Sequence, residues 1–337
     1  MTNDKKLITV FGGTGNQGSA VVRSLVSHKN RAFQVRVITR DPTSPKAKAI
    51  SQLGVELVKA DGWDRGQTTT AFKGSWGAFI NTNSDGPTGE DTLEEPNAYD
   101  LDVAILDAAE AAGVKHVVYS SAANIHRATK GRIHISGFDC KSLAEEYALR
   151  EKKFTTFTPV LPGSFMECWG EESFCRVWGG FPWYSEDTNQ TVVLAVPPYG
   201  GDGRMPWVSL NDDFGDIVHG IFLDPQETHG KHVQAISQMI QFQDLAAEYS
   251  EATGVPVQYR PLKSWRNVPD DGSHLAHESR IMFFYMNFCG GRWYAEHESD
   301  ITASQKYKKR ALEAQGRSDG ELVNFKTWFA REAENRH

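Results

Sequence analysis

The residues with the clearest chemical purpose are the glycines of FGGTGNQG, Phe11 to Gly18. Gly13, Gly15 and Gly18 fit the spacing GxGxxG, and Gly12, Gly15 and Gly18 fit the related GxxGxxG. A loop that turns tightly, brings its backbone against two linked phosphates and packs a helix onto a strand needs glycine at three points. With Thr14, Asn16 and Gln17 between the glycines, Gly12 to Gly18 form a candidate cradle for a dinucleotide diphosphate. A helix starting there would add free amides and the positive end of its dipole. Such a triplet alone is weak evidence; a strand before it and a helix after it give it weight.

A second position selects the nucleotide. In this kind of site an acid about 20 residues on takes ribose hydroxyls, whereas an arginine takes the 2′-phosphate of NADP. Arg40 stands 22 residues after Gly18, and its guanidinium can pair with a phosphate through two charge-assisted bonds, with Lys46 adding charge. Asp41 is the counter-reading, as a ribose ligand, but Pro42 after it suits the start of a turn. The position therefore favours NADP over NAD. Asp61 and Gly62 are placed to meet the adenine, and Thr82 and Asn83 to lie along the ribose and diphosphate. The plain alternative for these four is loop chemistry. Ser120 and Ser121 fall where a strand would end, either to bond a carbonyl or to cap the next segment.

The elements that must position these residues alternate. Leu7–Phe11, Phe33–Arg40, Val55–Ala60, Trp76–Asn83 and Lys115–Ala122 read as strands; Ser19–Leu25, Lys46–Gln52 and Tyr99–Ala112 read as helices. Strands separated by helices indicate βαβ units in a parallel sheet, with right-handed crossovers. The fold class is thus α/β, a doubly wound Rossmann-type sheet over residues 1–160, with a smaller α+β domain over 161–337. Residues 165–199 carry Trp169, Trp178 and Trp183 without a clear period, as in an irregular lobe. Met205–Leu210 and a helical Asp212–Phe222 suggest that 205–235 returns to the main body; Asp244–Gly254 and Ala303–Glu334 read as helical.

Composition removes several function classes. At 337 residues the chain has room for about two domains. A net charge of -7 gives no global attraction to nucleic acid. No apolar run nears the ~20 residues that cross a bilayer, and the N-terminus reads as a strand rather than a signal peptide. Cys140, Cys168, Cys175 and Cys289 lack metal-site spacing, so no metal is expected and free thiols in the cytoplasm are the default.

The segments FGGTGNQGSAVVRSL, VRVITRDP, KADGWD, GAFINTN, GVKHVVYSSAAN, FDCKSLAEEY, PGSFMECW and MPWVSLNDDFGDIV occur in an order that resembles the NmrA-like family, an atypical branch of the short-chain dehydrogenase/reductases. The likeness runs from residue 7 to about residue 260. It implies a Rossmann domain that binds NADP(H) and a smaller domain closing a cleft over the nicotinamide. It also implies that Gly12 to Gln17 hold phosphate and Arg40 the 2′-phosphate. By the same resemblance Lys141 contacts the nicotinamide ribose, and Ser164, Phe165, Met166 and Glu167 lie beside the nicotinamide.

One departure matters. Typical short-chain dehydrogenases use Tyr-x-x-x-Lys, the tyrosine exchanging a proton with substrate. Four residues before Lys141 this chain has Gly137, which excludes that mechanism at this position. Two substitutes are open. His134 would share a face with Lys141 if Ile133–Tyr147 were one helix, and could titrate near neutrality; the favoured alternative is that Gly137 ends any helical order and leaves His134 solvated. Lys141 could itself act as acid or base, as the resemblance to isoflavone-reductase-like enzymes suggests.

The function expected is an NADP(H)-dependent oxidoreductase, transferring hydride to or from a small apolar or aromatic carbonyl, imine or alkene in fungal secondary metabolism. The aromatic lobe suits such a substrate and equally suits its own core. The rival is an NADP(H)-sensing regulator that acts through a protein partner without catalysis; a redox-neutral isomerase or dehydratase is a third option.

Overall fold

The computed structural model describes residues 5–82, 96–184, 191–269, 271–295, 297–318 and 320–336. The first half alternates as expected: β1 (Lys6–Phe11), α1 (Asn16–Val26), β2 (Phe33–Thr39), α2 (Pro45–Ser51), β3 (Glu56–Lys59), α3 (Arg65–Phe72), β4 (Gly77–Ile80), α4 (Ala98–Ala111), β5 (His116–Ser120), α5 (Ile125–Ala128), α6 (Ser136–Glu151) and β6 (Thr156–Pro162). The second half contains β7 (Ser164–Phe165), α7 (Glu172–Val177), β8 (Val192–Val196), β9 (Met205–Val208), α8 (Gly215–Leu223), β10 (Val233–Ala235), β11 (Gln238–Ile240), α9 (Phe242–Thr253), β12 (Val257–Pro261), α10 (His274–Phe288), α11 (Thr302–Gln315) and α12 (Phe325–Arg336).

Local chemistry sets several helix starts. Ser44 caps α2 ahead of Pro45, and Asp64 caps α3 by accepting from Gln67 N. Asn97 and Asp100 form a reciprocal capping box on α4.

The central sheet is seven-stranded in the order β10-β6-β5-β4-β1-β2-β3, and every pairing in it is parallel. The strand order reverses between β1 and β4, and open α/β sheets bind ligands outside the carboxyl ends at such a reversal. One face packs on α1 and α8 through Val10, Val21, Leu25, Ile217 and Phe222; the other packs on α3, α4 and α6 through Phe72, Ile80, Ile105, Tyr119 and Ala144. Among the described residues no helix is long and apolar enough to cross a membrane.

Within 205–235, β9 joins a small sheet with β7 and β11, α8 packs on α1, and β10 extends the large sheet. Residues 165–199 contribute α7 and β8 to an aromatic core built on Trp169, Phe181, Trp207, Phe325 and Phe329. The tail returns to the central sheet, because α11 packs on α8 and β10. The closest approach in that packing is at Gly220, where a Cβ would lie 2.1 Å from the Tyr307 carbonyl oxygen. Backbone cannot give way as a flexible side chain can. Gly220→Ala is therefore expected to lower stability by about 1–3 kcal/mol, read from the urea midpoint at unchanged m-value.

Candidate active site

The glycine loop is built by backbone contacts. Gly12 has φ +76, and a Cβ there would sit 2.3 Å from the Asn81 carbonyl oxygen at the end of β4. A Cβ at Gly18 would meet the Gly12 carbonyl oxygen at 2.2 Å, and one at Gly13 would meet Val37 Cγ1 at 2.7 Å. Gly15 is less crowded, though still close: a Cβ there would meet the Gly12 carbonyl oxygen at 3.3 Å. No side chain caps α1, whose first bond runs from Ser19 N to Gly15 O. The amides of Asn16, Gln17 and Gly18 thus have no partner within the helix. An uncapped helix end behind a glycine cradle fits a diphosphate.

Arg40 is exposed just past β2. Asp41 is occupied locally, its Oδ1 accepting from Thr43 N at 2.8 Å and Thr43 Oγ1 at 2.6 Å, and these bonds hold its carboxyl below the usual range. Asp61 is exposed and accepts from Trp63 N at 3.1 Å, while Gly62 is packed so closely that a Cβ would meet Leu101 Cδ1 at 2.9 Å. Asn83 lies outside the described residues.

Beyond the loop opens a cavity of about 480 Å³. Gln17, Asn81, Thr82, Ser120, Ser121, Gly137 and Lys141 form its edge toward the sheet; Phe165, Trp169, Phe174, Trp178, Trp207, Phe283 and Trp293 form its far wall. A second crevice, about 490 Å³, lies between α1, α8 and the tail; several of its charges have partners, Arg331 with Asp212, Lys308 with Asp213 and Arg23 with Asn211. The first cavity is the one that the glycine loop, Thr82 and Lys141 border.

Lys141 is held in a buried network with Thr82 and Asp102, the last of which is not among the residues singled out from the sequence. Its Nζ donates to Thr82 Oγ1 at 2.8 Å; Thr82 Oγ1 donates to Asp102 Oδ1 at 2.6 Å; and Asp102 Oδ2 lies 3.7 Å from Nζ. Asp102 is fully buried. Desolvation pushes its carboxyl up from the ordinary value, opposed by the Lys141 charge. Ser120 Oγ donates to Gln17 Oε1 at 2.7 Å, which ties β5 to the glycine loop.

Three expected residues stand elsewhere. The continuous helix from Ile133 does not form: α6 begins at Ser136, after Ile135 in an extended conformation. His134 is consequently not above Lys141; its Nδ1 pairs with Asp139 Oδ2 at 2.8 Å, and the residue does not line the cavity. Asp139 orders this corner by also accepting from His126 N and Ile135 N. Ser164 and Phe165 do line the cavity, but Met166 is buried in the aromatic core. Glu167 turns to the turn after β9, accepting from Leu210 N, Asn211 N and Ser209 Oγ, each at 3.0 Å.

A family model described as the NmrA-like family matches residues 4–291. The chain belongs to the NmrA-like family. A curated member, the oxidoreductase malD of Malbranchea aurantiaca, is 52% identical across 100% of this chain and 99% of its own length. The oxidoreductase lnaB of Aspergillus flavus is 37% identical across 98% of each. Among solved structures, the negative transcriptional regulator NmrA in complex with NADP superposes with a TM-score of 0.69 at 18% identity, covering 98% of both chains. Citrobacter sp. triphenylmethane reductase complexed with NADP(H) gives 0.65 at 19%, covering 97% of this chain and 99% of its own. These likenesses establish an NmrA-like fold.

In this NmrA-like chain the Lys141–Asp102 contact carries a testable cost. Lys141→Met strands a buried carboxylate and is expected to lose about 3–5 kcal/mol near neutral pH. Without the lysine the Asp102 carboxyl rises further above its unfolded value, so the folded state binds more protons between the two values. The loss should therefore grow as pH rises through that window and shrink in acid, measured by urea unfolding across pH.

Proposed function

We propose that the chain is an NADP(H)-dependent oxidoreductase that transfers hydride to or from a small, largely apolar or aromatic carbonyl, imine or activated alkene in fungal secondary metabolism. One observation carries this reading: the aromatic-walled cavity reaches the glycine loop at Gln17, and Thr82 and Lys141, bonded to each other, line it on that side. Its relatives named as oxidoreductases, from Malbranchea and Aspergillus, and the NADP-bound structures of similar fold support the same assignment.

The residues divide the task by chemistry. Gly12, Gly13, Thr14, Gly15, Asn16, Gln17 and Gly18 hold the diphosphate through backbone amides, and Arg40 takes the 2′-phosphate. Asp61 and Gly62 border the adenine. Thr82 and Lys141 hold the nicotinamide ribose, with Ser164 and Phe165 beside the ring. The bound nicotinamide supplies or accepts the hydride. Lys141, anchored through Thr82 to Asp102, places a fixed positive charge where negative charge develops on a reducing carbonyl. The aromatic wall excludes water and orients a flat substrate.

Titration by quenching of tryptophan emission tests the cofactor assignment. NADPH should bind about 10–100-fold more tightly than NADH, and Arg40→Ala should erase the difference. Equal affinities in the parent protein would remove Arg40 from its role. Substrate-dependent NADPH oxidation that disappears in Lys141→Ala supports the enzyme. No turnover across quinones, aldehydes, imines and enones, with nucleotide-dependent retention of a protein partner, would replace it with a sensor.

A further inference from the structure

Gly137 leaves the cavity without the hydroxyl that ordinarily delivers a proton, yet the rim holds another. The two serines at the end of β5 have different commitments. Ser120 is tied to Gln17. Ser121 is 2% exposed, lines the cavity, and donates its Oγ–H to Glu145 Oε2. Glu145 lies one turn beyond Lys141 on α6 and is 5% exposed. Its other oxygen, Oε1, meets His232 Nε2 at 2.5 Å. His232 immediately precedes β10, does not line the cavity, and keeps 37% of its side chain exposed.

A hydroxyl in the cavity, a carboxyl in the interior and an imidazole at the surface thus form one hydrogen-bonded chain. Burying a carboxylate is costly unless it is paired, and the ion-pair partner here is itself titratable and faces solvent. The order also matters. A nucleophilic serine needs its base, usually histidine, directly against its hydroxyl. Here the carboxyl stands between them, which suits proton conduction rather than acyl transfer.

We propose that Ser121, Glu145 and His232 are a proton relay that supplies the reduced substrate with a proton drawn from solvent, in place of the missing tyrosine. The proposal rests on the reductive reading of this cavity. In the step, hydride from NADPH forms a bond to the electrophilic carbon, and the displaced electron pair on oxygen or nitrogen takes the proton from Ser121 Oγ. Glu145, protonated by His232, returns a proton to Ser121, and His232 recovers one from water. The sum is one hydride and one solvent proton added, with NADP⁺ formed.

Among the described residues, the titratable groups near the chain include Tyr119 on β5, which interacts with Glu145; Cys140 and Lys141 on α6; and His297, whose ring stands edge-on to His232 at 5.4 Å. The bond to Glu145 holds His232 above the ordinary imidazole value of 6.5, so the relay keeps its proton to higher pH than a free imidazole would and empties as pH rises through that raised value.

Two measurements test it, one independent of turnover. NMR titration of isotope-labelled histidines, with His232 assigned through His232→Asn, should show its midpoint falling by about one pH unit in Glu145→Gln. Ser121→Ala removes a donor from the carboxylate and should raise the midpoint. An unmoved midpoint in both variants would overturn the relay. The second measurement follows NADPH oxidation with phenanthrenequinone as the flat carbonyl probe. Ser121→Ala and Glu145→Gln should lower kcat about 100-fold with NADPH affinity unchanged, and His232→Asn should abolish the fall of kcat at high pH. A Glu145→Gln protein with parental kcat and pH profile also overturns the proposal. A parent protein that binds NADPH yet reduces no carbonyl brings down the oxidoreductase reading instead, so the two failures are distinguishable.

Discussion

The architecture depends on backbone meeting backbone at the point where the sheet reverses its winding. Gly12 and Gly18 bring the loop after β1 against itself and against the end of β4 at distances that exclude any Cβ. That contact fixes where α1 begins and leaves its first amides unspent, and it sets the floor of the cavity that starts at Gln17 and Asn81. An alanine in this packing would move the helix, the phosphate donors and the edge of the cavity together.

Around that floor the protein buries polar groups in two separate ways. Asp102, Thr82 and Lys141 form a network whose ionic member faces the cavity and whose carboxylate has no exposed surface. Such a group stabilises the fold little, since desolvation offsets most of the attraction, but it holds the ammonium in one place. Ser121, Glu145 and His232 instead run from the cavity toward solvent. The first arrangement keeps a charge still; the second lets one pass.

Much of the first half was legible in the sequence because its strands and helices carry strong periods and its turns carry glycine. The helix α3 was not, since RGQTTTAF has three threonines and little amphipathic character; its start is set by Asp64. Helix α10, HLAHESRIMFFYMNF, bears apolar residues on several sides and shows no clean face. His134 was misplaced because no residue type announces that the chain is extended at Ile135. Asp102 had a local signal, an acid between Leu101 and Ile105 on the buried face of α4. Glu145 and His232 had none, because 87 residues separate them and only the pairing of β10 with β6 brings them together.

The chain departs from the large sheet at Pro162 and re-enters it at Val233, building the far wall of the cavity mainly from what lies between and after. The nucleotide edge is drawn almost wholly from residues before that departure. Substitutions in the later segments can therefore reshape what the enclosure admits while the coenzyme grip stays as it is. Relatives with one shared grip and divergent enclosures would be the natural outcome of drift in such a molecule.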